Sequence, residues 1–154
     1  MKLQPGDELI DMSRLEEGQQ ILAITTGGYG KRTDPDQYRE QGRNGMGIRA
    51  MALTDRTGEL AAQLAVYENE YIMLITDDGT IIRMAVSDIR ESGRNTQGVR
   101  LMRLSDGAKI VGVARAEQEE PEEADEAAFE EAVAKMTDET ETVVDGSDGG
   151  DEEI

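Results

Sequence analysis

The chain has 154 residues and a formal charge of −18, and it contains neither cysteine nor histidine. Disulfides, thiolate metal sites and the usual His- or Cys-based nucleophile and base arrangements are therefore excluded. The charge is unevenly placed: residues 1–116 hold 15 Lys/Arg against 17 Asp/Glu, a net of −2, whereas residues 117–154 hold 1 against 17, a net of −16. Twelve of the fifteen basic residues in the near-neutral body are arginine, the side chain suited to forked contacts with phosphate. No apolar run approaches the roughly 18 residues of a membrane span and the first residues lack a signal peptide's apolar segment, so a cytoplasmic location is expected.

In chain order, residues 1–20 read as the end of a preceding blade and a linker, because "MKLQPGDELIDM" falls on "MRLSDGAKIVGV" 101 residues further on. The first residue then lies inside a repeat, and earlier repeats are expected upstream. Ile21–Asp55 matches Ile72–Asp106 without a gap at 15 of 35 positions, an offset of 51. Ile21–Thr25, Gly27-Gly28 and Tyr29–Thr33 predict a β-hairpin, as do Tyr71–Thr76, the Asp77-Asp78-Gly79 turn and Thr80–Met84. Pro35–Arg39 and Val86–Arg90 read as connectors with a single helical turn. Leu64–Tyr67 reaches Tyr71 through a Glu68-Asn69 turn, and Gly98–Leu104 and Lys109–Ala114 are further strands about Asp106-Gly107.

A period near 50 with about four antiparallel strands per unit predicts an all-β chain of propeller-like blades, here 21–70 and 71–116, that cover each other's faces. Two and a fraction blades do not close a ring. Ile24, Leu53, Leu64, Ile75, Ile82, Leu101, Leu104, Ile110 and Val113 are the expected core. The acidic segment 117–154 is expected to be disordered. Within it Phe129, Val133 and Met136 share one helical face, which leaves a transient helix or a docking helix open. Its "DGSDGGDEEI" lacks the spacing of a calcium loop.

Each copy contains Gly-Arg-Asn-x-x-Gly-x-Arg: Gly42, Arg43, Gly47 and Arg49, then Gly93, Arg94, Gly98 and Arg100. Two glycines bracketing polar residues make a tight loop whose arginine can fork onto a phosphate. The other reading is that the glycines serve the turn alone and the arginine pairs with Glu40 or Glu91; loops of both kinds look alike in sequence. Lys31 and Arg32, with Arg83 at the matching place one repeat on, add charge to the second hairpin strand, and Arg39 coincides with Arg90. Arg100 and Arg103 are weaker candidates because their strand must also pack. Tyr29, Tyr38, Tyr67 and Tyr71 read as packing, and there is neither a Walker A loop nor a Gly-x-Ser-x-Gly elbow.

The stretches "GGYGKRT", "EYIMLITDDGTIIR", "GRNTQGVRLMRL" and "VGVARAEQEE" resemble the C-terminal, DNA-wrapping domain of DNA gyrase A subunits, part of the bacterial type IIA topoisomerases. The resemblance covers about residues 1–116. It implies a β-pinwheel, usually of six blades sharing strands, with duplex DNA wrapped on a basic rim so that ATP-driven strand passage introduces negative supercoils. Carried over by position, Lys31, Arg32, Arg43, Arg83 and Arg94 would touch phosphates, with Arg39, Arg49, Arg90 and Arg100 as lesser contacts and Gly42, Gly47, Gly93 and Gly98 shaping the loops. The acidic tail would be a tethered competitor for that rim.

The implied partners are double-stranded DNA, the rest of the gyrase A subunit, and the B subunit in an A2B2 assembly. No cofactor and no metal is expected in this part; ATP and magnesium belong to other parts of the holoenzyme, as do the cleavage tyrosine and its arginine. The family's Gln-Arg-Arg-Gly-Gly-Lys-Gly box is missing, and Gln41–Gly47, "QGRNGMG", is a degenerate version with Met46 in the lysine's place. The alternatives are the corresponding topoisomerase IV subunit, whose C-terminal domain is a more divergent pinwheel, and, outside the family, a protein-interaction propeller.

Overall fold

The computed structural model describes residues 2–116. The acidic segment 117–154, with its expected disorder and its Phe129–Met136 face, lies outside the described residues. Seven strands occur in the described part: β1 (Gln20–Thr25), β2 (Tyr29–Thr33), β3 (Leu60–Val66), β4 (Tyr71–Thr76), β5 (Ile81–Ala85), β6 (Val99–Arg100) and β7 (Ile110–Ala116). Single 3-10 turns, Pro35–Gln37 and Val86–Asp88, sit where the connectors were expected. The Asp34 carboxylate caps the first by accepting from Asp36 N at 2.8 Å, with proline fixing φ inside it.

The strands form two antiparallel sheets, ordered β3-β1-β2-β6 and β5-β4-β7. Both hairpins form as the turn chemistry predicts: Ile21 pairs with Thr33 through Ile24 with Gly30, and Tyr71 with Ala85 through Ile75 with Ile81. In the second turn the Asp78 carboxylate accepts from Thr76 Oγ1 and Thr80 N, which lowers its pKa to about 2. The fourth strand of the first sheet comes from the second repeat, since β6 pairs with β2 through Tyr29–Arg100 and Gly30–Val99. Only Val99–Arg100 of the expected Gly98–Leu104 strand lies in the ladder; Leu101 and Met102 then turn their N–H groups to Gly28 O.

One core lies between the sheets. Leu22, Ile24, Val66, Ile72, Leu74, Val86, Ile89, Met102 and Ile110 are buried, with Leu64, Ile82, Leu101, Leu104 and Val113 packed against them. Each such aliphatic side chain contributes about 1.5–3 kcal/mol when fully buried. Two expected core residues are placed elsewhere. Ile75 is half-buried on the opposite face of β4, where the period of two turns Ile72, Leu74 and Thr76 inward instead. Leu53 is 48% exposed; its repeat counterpart Leu104 packs inward because it follows β6, whereas residues 40–58 join no ladder among the described residues.

The outer edge of β5 corresponds to the edge of β2 that receives β6. It carries Ile81 and Ile82 where β2 has Gly30 and Lys31, Ile81 is 61% exposed, and no fourth strand is paired to it among the described residues.

Candidate nucleic-acid interface

The strand Tyr29–Thr33 is polar yet buried at all five positions, because β1 and β6 flank it and the Arg90–Ser92 backbone continues its edge, with Arg32 N donating to Arg90 O and Ser92 N to Arg32 O. That placement corrects the reading of Lys31 and Arg32 as phosphate contacts. Lys31 is 0% exposed, and its ammonium donates to Gly93 O and Arg94 O at 2.6 Å each and to Thr96 Oγ1 at 3.3 Å. A donor with three filled bonds inside the protein has none left for DNA. Burial, and then the Arg94 charge, lowers its pKa to about 8.

Arg32 is likewise internal. It donates from Nε to Ile89 O at 2.6 Å and from Nη1 to Gln20 Oε1 at 2.8 Å, and it pairs with Glu68 at 3.3 Å. It ties the hairpin to the second repeat's connector.

Lys31 instead fixes the second Gly-Arg-Asn loop. With the carbonyls of Gly93 and Arg94 drawn inward, Arg94 N donates to Gln37 Oε1 at 3.1 Å, and its guanidinium lies 5.9 Å from the Tyr38 ring centre. Arg94 Nη1 donates to Arg49 O at 2.9 Å, and Ala52 N donates to Thr96 O at 3.0 Å. The structure thus brings Arg94 and the Arg49 backbone together where the two repeats meet. Arg94 is half-buried and Arg49 exposed, and neither forms an ion pair among the described residues. Glu91, the carboxylate weighed as Arg94's partner, accepts from Gln20 Nε2 at 2.8 Å instead.

Arg43 is exposed in the first loop, with no ion pair among the described residues. Arg39 and Arg90 are exposed too, and exposed Arg83 stacks 4.4 Å from the Tyr71 ring centre. Arg100 is exposed but donates from Nη2 to Tyr29 Oη at 3.0 Å.

The four glycines split. Gly47 and Gly98 take φ of +87° and +74°, and a Cβ on Gly98 would stand 2.5 Å from Gly30 O. Glycine is required there. Gly42 and Gly93 are corrected as loop-shaping positions: neither has a positive φ, and an added Cβ would meet nothing within 4 Å at Gly42 and only Gln37 Oε1 at 3.5 Å at Gly93. Gln37 and Tyr38, which seat Arg94, were missed as site residues; their repeat counterparts are Asp88 and Ile89, so the repeat comparison that selected the arginines could not select them.

Two antiparallel sheets that cover one core and share a strand across repeats define a propeller-like repeat protein with an arginine-bearing loop at the junction. Residues 19–63 and 70–117 match the family described as "DNA gyrase C-terminal domain, beta-propeller", and the chain belongs to that family. It is 43% identical over 115 residues to the DNA gyrase A protein of Streptomyces coelicolor, covering 75% of this chain and 13% of that protein. It is 43% identical over 118 residues to the DNA gyrase A protein of Pseudomonas aeruginosa, covering 77% and 13%. The chain therefore spans about an eighth of the length of these relatives.

Among solved structures, a DNA gyrase A C-terminal domain aligns at a TM-score of 0.62 and 22% identity, covering 66% of this chain and 34% of that one. The C-terminal domain of a DNA topoisomerase IV aligns at 0.63 and 21%, covering 77% and 37%. These likenesses carry the fold. No helix among the described residues is long and apolar enough to cross a membrane.

Proposed function

We propose that the chain binds duplex DNA through its phosphates, without reading bases, and that within a gyrase A subunit it is part of the surface on which DNA wraps before ATP-driven strand passage introduces negative supercoils. The observation that supports this most is the seating of Arg94. A buried lysine, Gln37 and Tyr38 hold its loop in one geometry beside Arg49, and no carboxylate neutralises it among the described residues. A fixed, uncompensated guanidinium at a repeat junction suits a phosphate oxygen. Arg43 holds the matching place in the first loop, and Arg39, Arg83 and Arg90 extend the contact.

In this reading blades 21–70 and 71–116 are two of a larger set, the partners are the rest of the gyrase A subunit, together with the B subunit in an A2B2 assembly, and ATP and magnesium are bound elsewhere in it. The corresponding subunit of topoisomerase IV is the alternative on the same fold.

The test is the salt dependence of binding by the full chain on two unrelated duplexes. Log K should fall linearly with log[salt], by about 0.9 per phosphate neutralised, and equally for both sequences. A flat dependence, as for an apolar protein interface, would sink the proposal.

A further inference from the structure

An open cleft of ≈ 720 Å³ runs beside β2 and β6 and is lined by Tyr29, Arg56, Arg100 and Arg103, with Gln97 and Gly98 reaching it from the end of the Arg94 loop. A second, smaller hollow of ≈ 340 Å³ is lined by the same four residues together with Gly27 and Leu104. The three arginines come from two stretches of chain: Arg56 from the loop before β3, and Arg100 and Arg103 from β6 and the residues just after it. Arg56 and Arg100 each stand 5.6 Å from the centre of the Tyr29 ring, and Arg100 Nη2 donates to its hydroxyl at 3.0 Å. Tyr29 itself is only 7% exposed, so it forms a fixed wall beneath the cations.

No acidic residue lines the cleft among the described residues, and none of the three arginines forms an ion pair there. Like charges gathered on one ring without a counter-charge repel one another. An anion placed among them removes that repulsion and finds several N–H donors in forked geometry.

The cluster is not a by-product of the repeat. Tyr29, Gly30 and Arg103 correspond to Thr80, Ile81 and Ala52 in the other copy, so the second sheet does not reproduce it. It exists because β6 is donated to β2, which carries Arg100 and Arg103 across to Tyr29 and Arg56.

We propose that this cleft is a binding site for a single phosphate group, held by Arg56, Arg100 and Arg103 over Tyr29. The cleft is wider than one phosphate, so the group can be a free anion or one link of a nucleic-acid backbone. The second source rests on the duplex-binding reading above, and the first does not.

Arg100 is the main cause of a lowered Tyr29 pKa, with Arg56 contributing. A phosphate in the cleft offsets those charges and moves the Tyr29 pKa upward. Tyrosine ionisation in the full chain, followed by ultraviolet difference titration, reads this directly, with Tyr29→Phe identifying the signal. The arms are inorganic phosphate, a short duplex, and sodium chloride at matched ionic strength.

An upward shift with phosphate beyond the chloride control, weakened about tenfold in the Arg56→Gln/Arg103→Gln double variant, establishes the site with free phosphate as ligand. A shift with the duplex alone establishes it as a backbone contact. Both arginines are exposed, so that variant retains the fold. If neither ligand moves Tyr29 beyond the chloride control, the site does not exist, whatever the salt dependence of duplex binding shows.

Discussion

Lys31 shows how one residue's role depends on where its strand lies. A lysine beside an arginine on a hairpin strand reads as surface charge, and its burial follows only because β6 and the Gly93–Thr96 loop cover β2. Lys31→Met should leave the carbonyls of Gly93 and Arg94 without a donor and lower stability by about 1–3 kcal/mol in urea unfolding. The folded pKa of about 8 lies below the ordinary 10.5, so between these values the unfolded chain holds a proton that the folded chain has released. The contribution of Lys31 to stability is therefore lowest below about pH 8 and rises as pH climbs towards 10.5. Unfolding midpoints should diverge between wild type and Lys31→Met across that window; parallel midpoints would mean that the lysine is not buried.

At the scale of the element, the donated strand decides the architecture. β6 lies against β2 because Gly98 lets its backbone approach Gly30 O and Gly30 leaves room for the Leu101 side chain. Gly98→Ala forces a side chain into the left-handed region against Gly30 O, and thermal unfolding should report a loss of about 2–3 kcal/mol. Gly42→Ala, with open space around it, should stay within about 0.5 kcal/mol of wild type. Equal effects would contradict the pairing.

The hairpins were legible because turn residues and apolar runs are local signals. The pairing of Tyr29 with Arg100 was not, since two polar, glycine-containing segments 71 positions apart carry no alternation to announce it. Leu53 and Leu104 hold the same repeat position and both read as core, yet only Leu104 follows a strand paired to β2 among the described residues. In β4, where Tyr71–Thr76 is continuously apolar apart from its last residue, nothing in the sequence chose between the Ile75 and the Ile72/Leu74 phase.

For the whole molecule, the partition of charge is what the sequence states most clearly: a near-neutral, arginine-rich body and a segment at −16. The body folds into the two sheets of a gyrase C-terminal-domain relative, and among the described residues two groups of arginines without an ion pair stand out. One lies at the loop seated by Lys31, Gln37 and Tyr38, and the other lines the Tyr29 cleft. Duplex binding through the first is the central claim, and its most direct test is the salt slope of duplex affinity for the chain against its Arg43→Ala/Arg94→Ala double variant. If both arginines touch phosphates, the slope becomes shallower by about 2 and affinity falls alike on every duplex. An unchanged slope in a variant that remains folded would contradict the account.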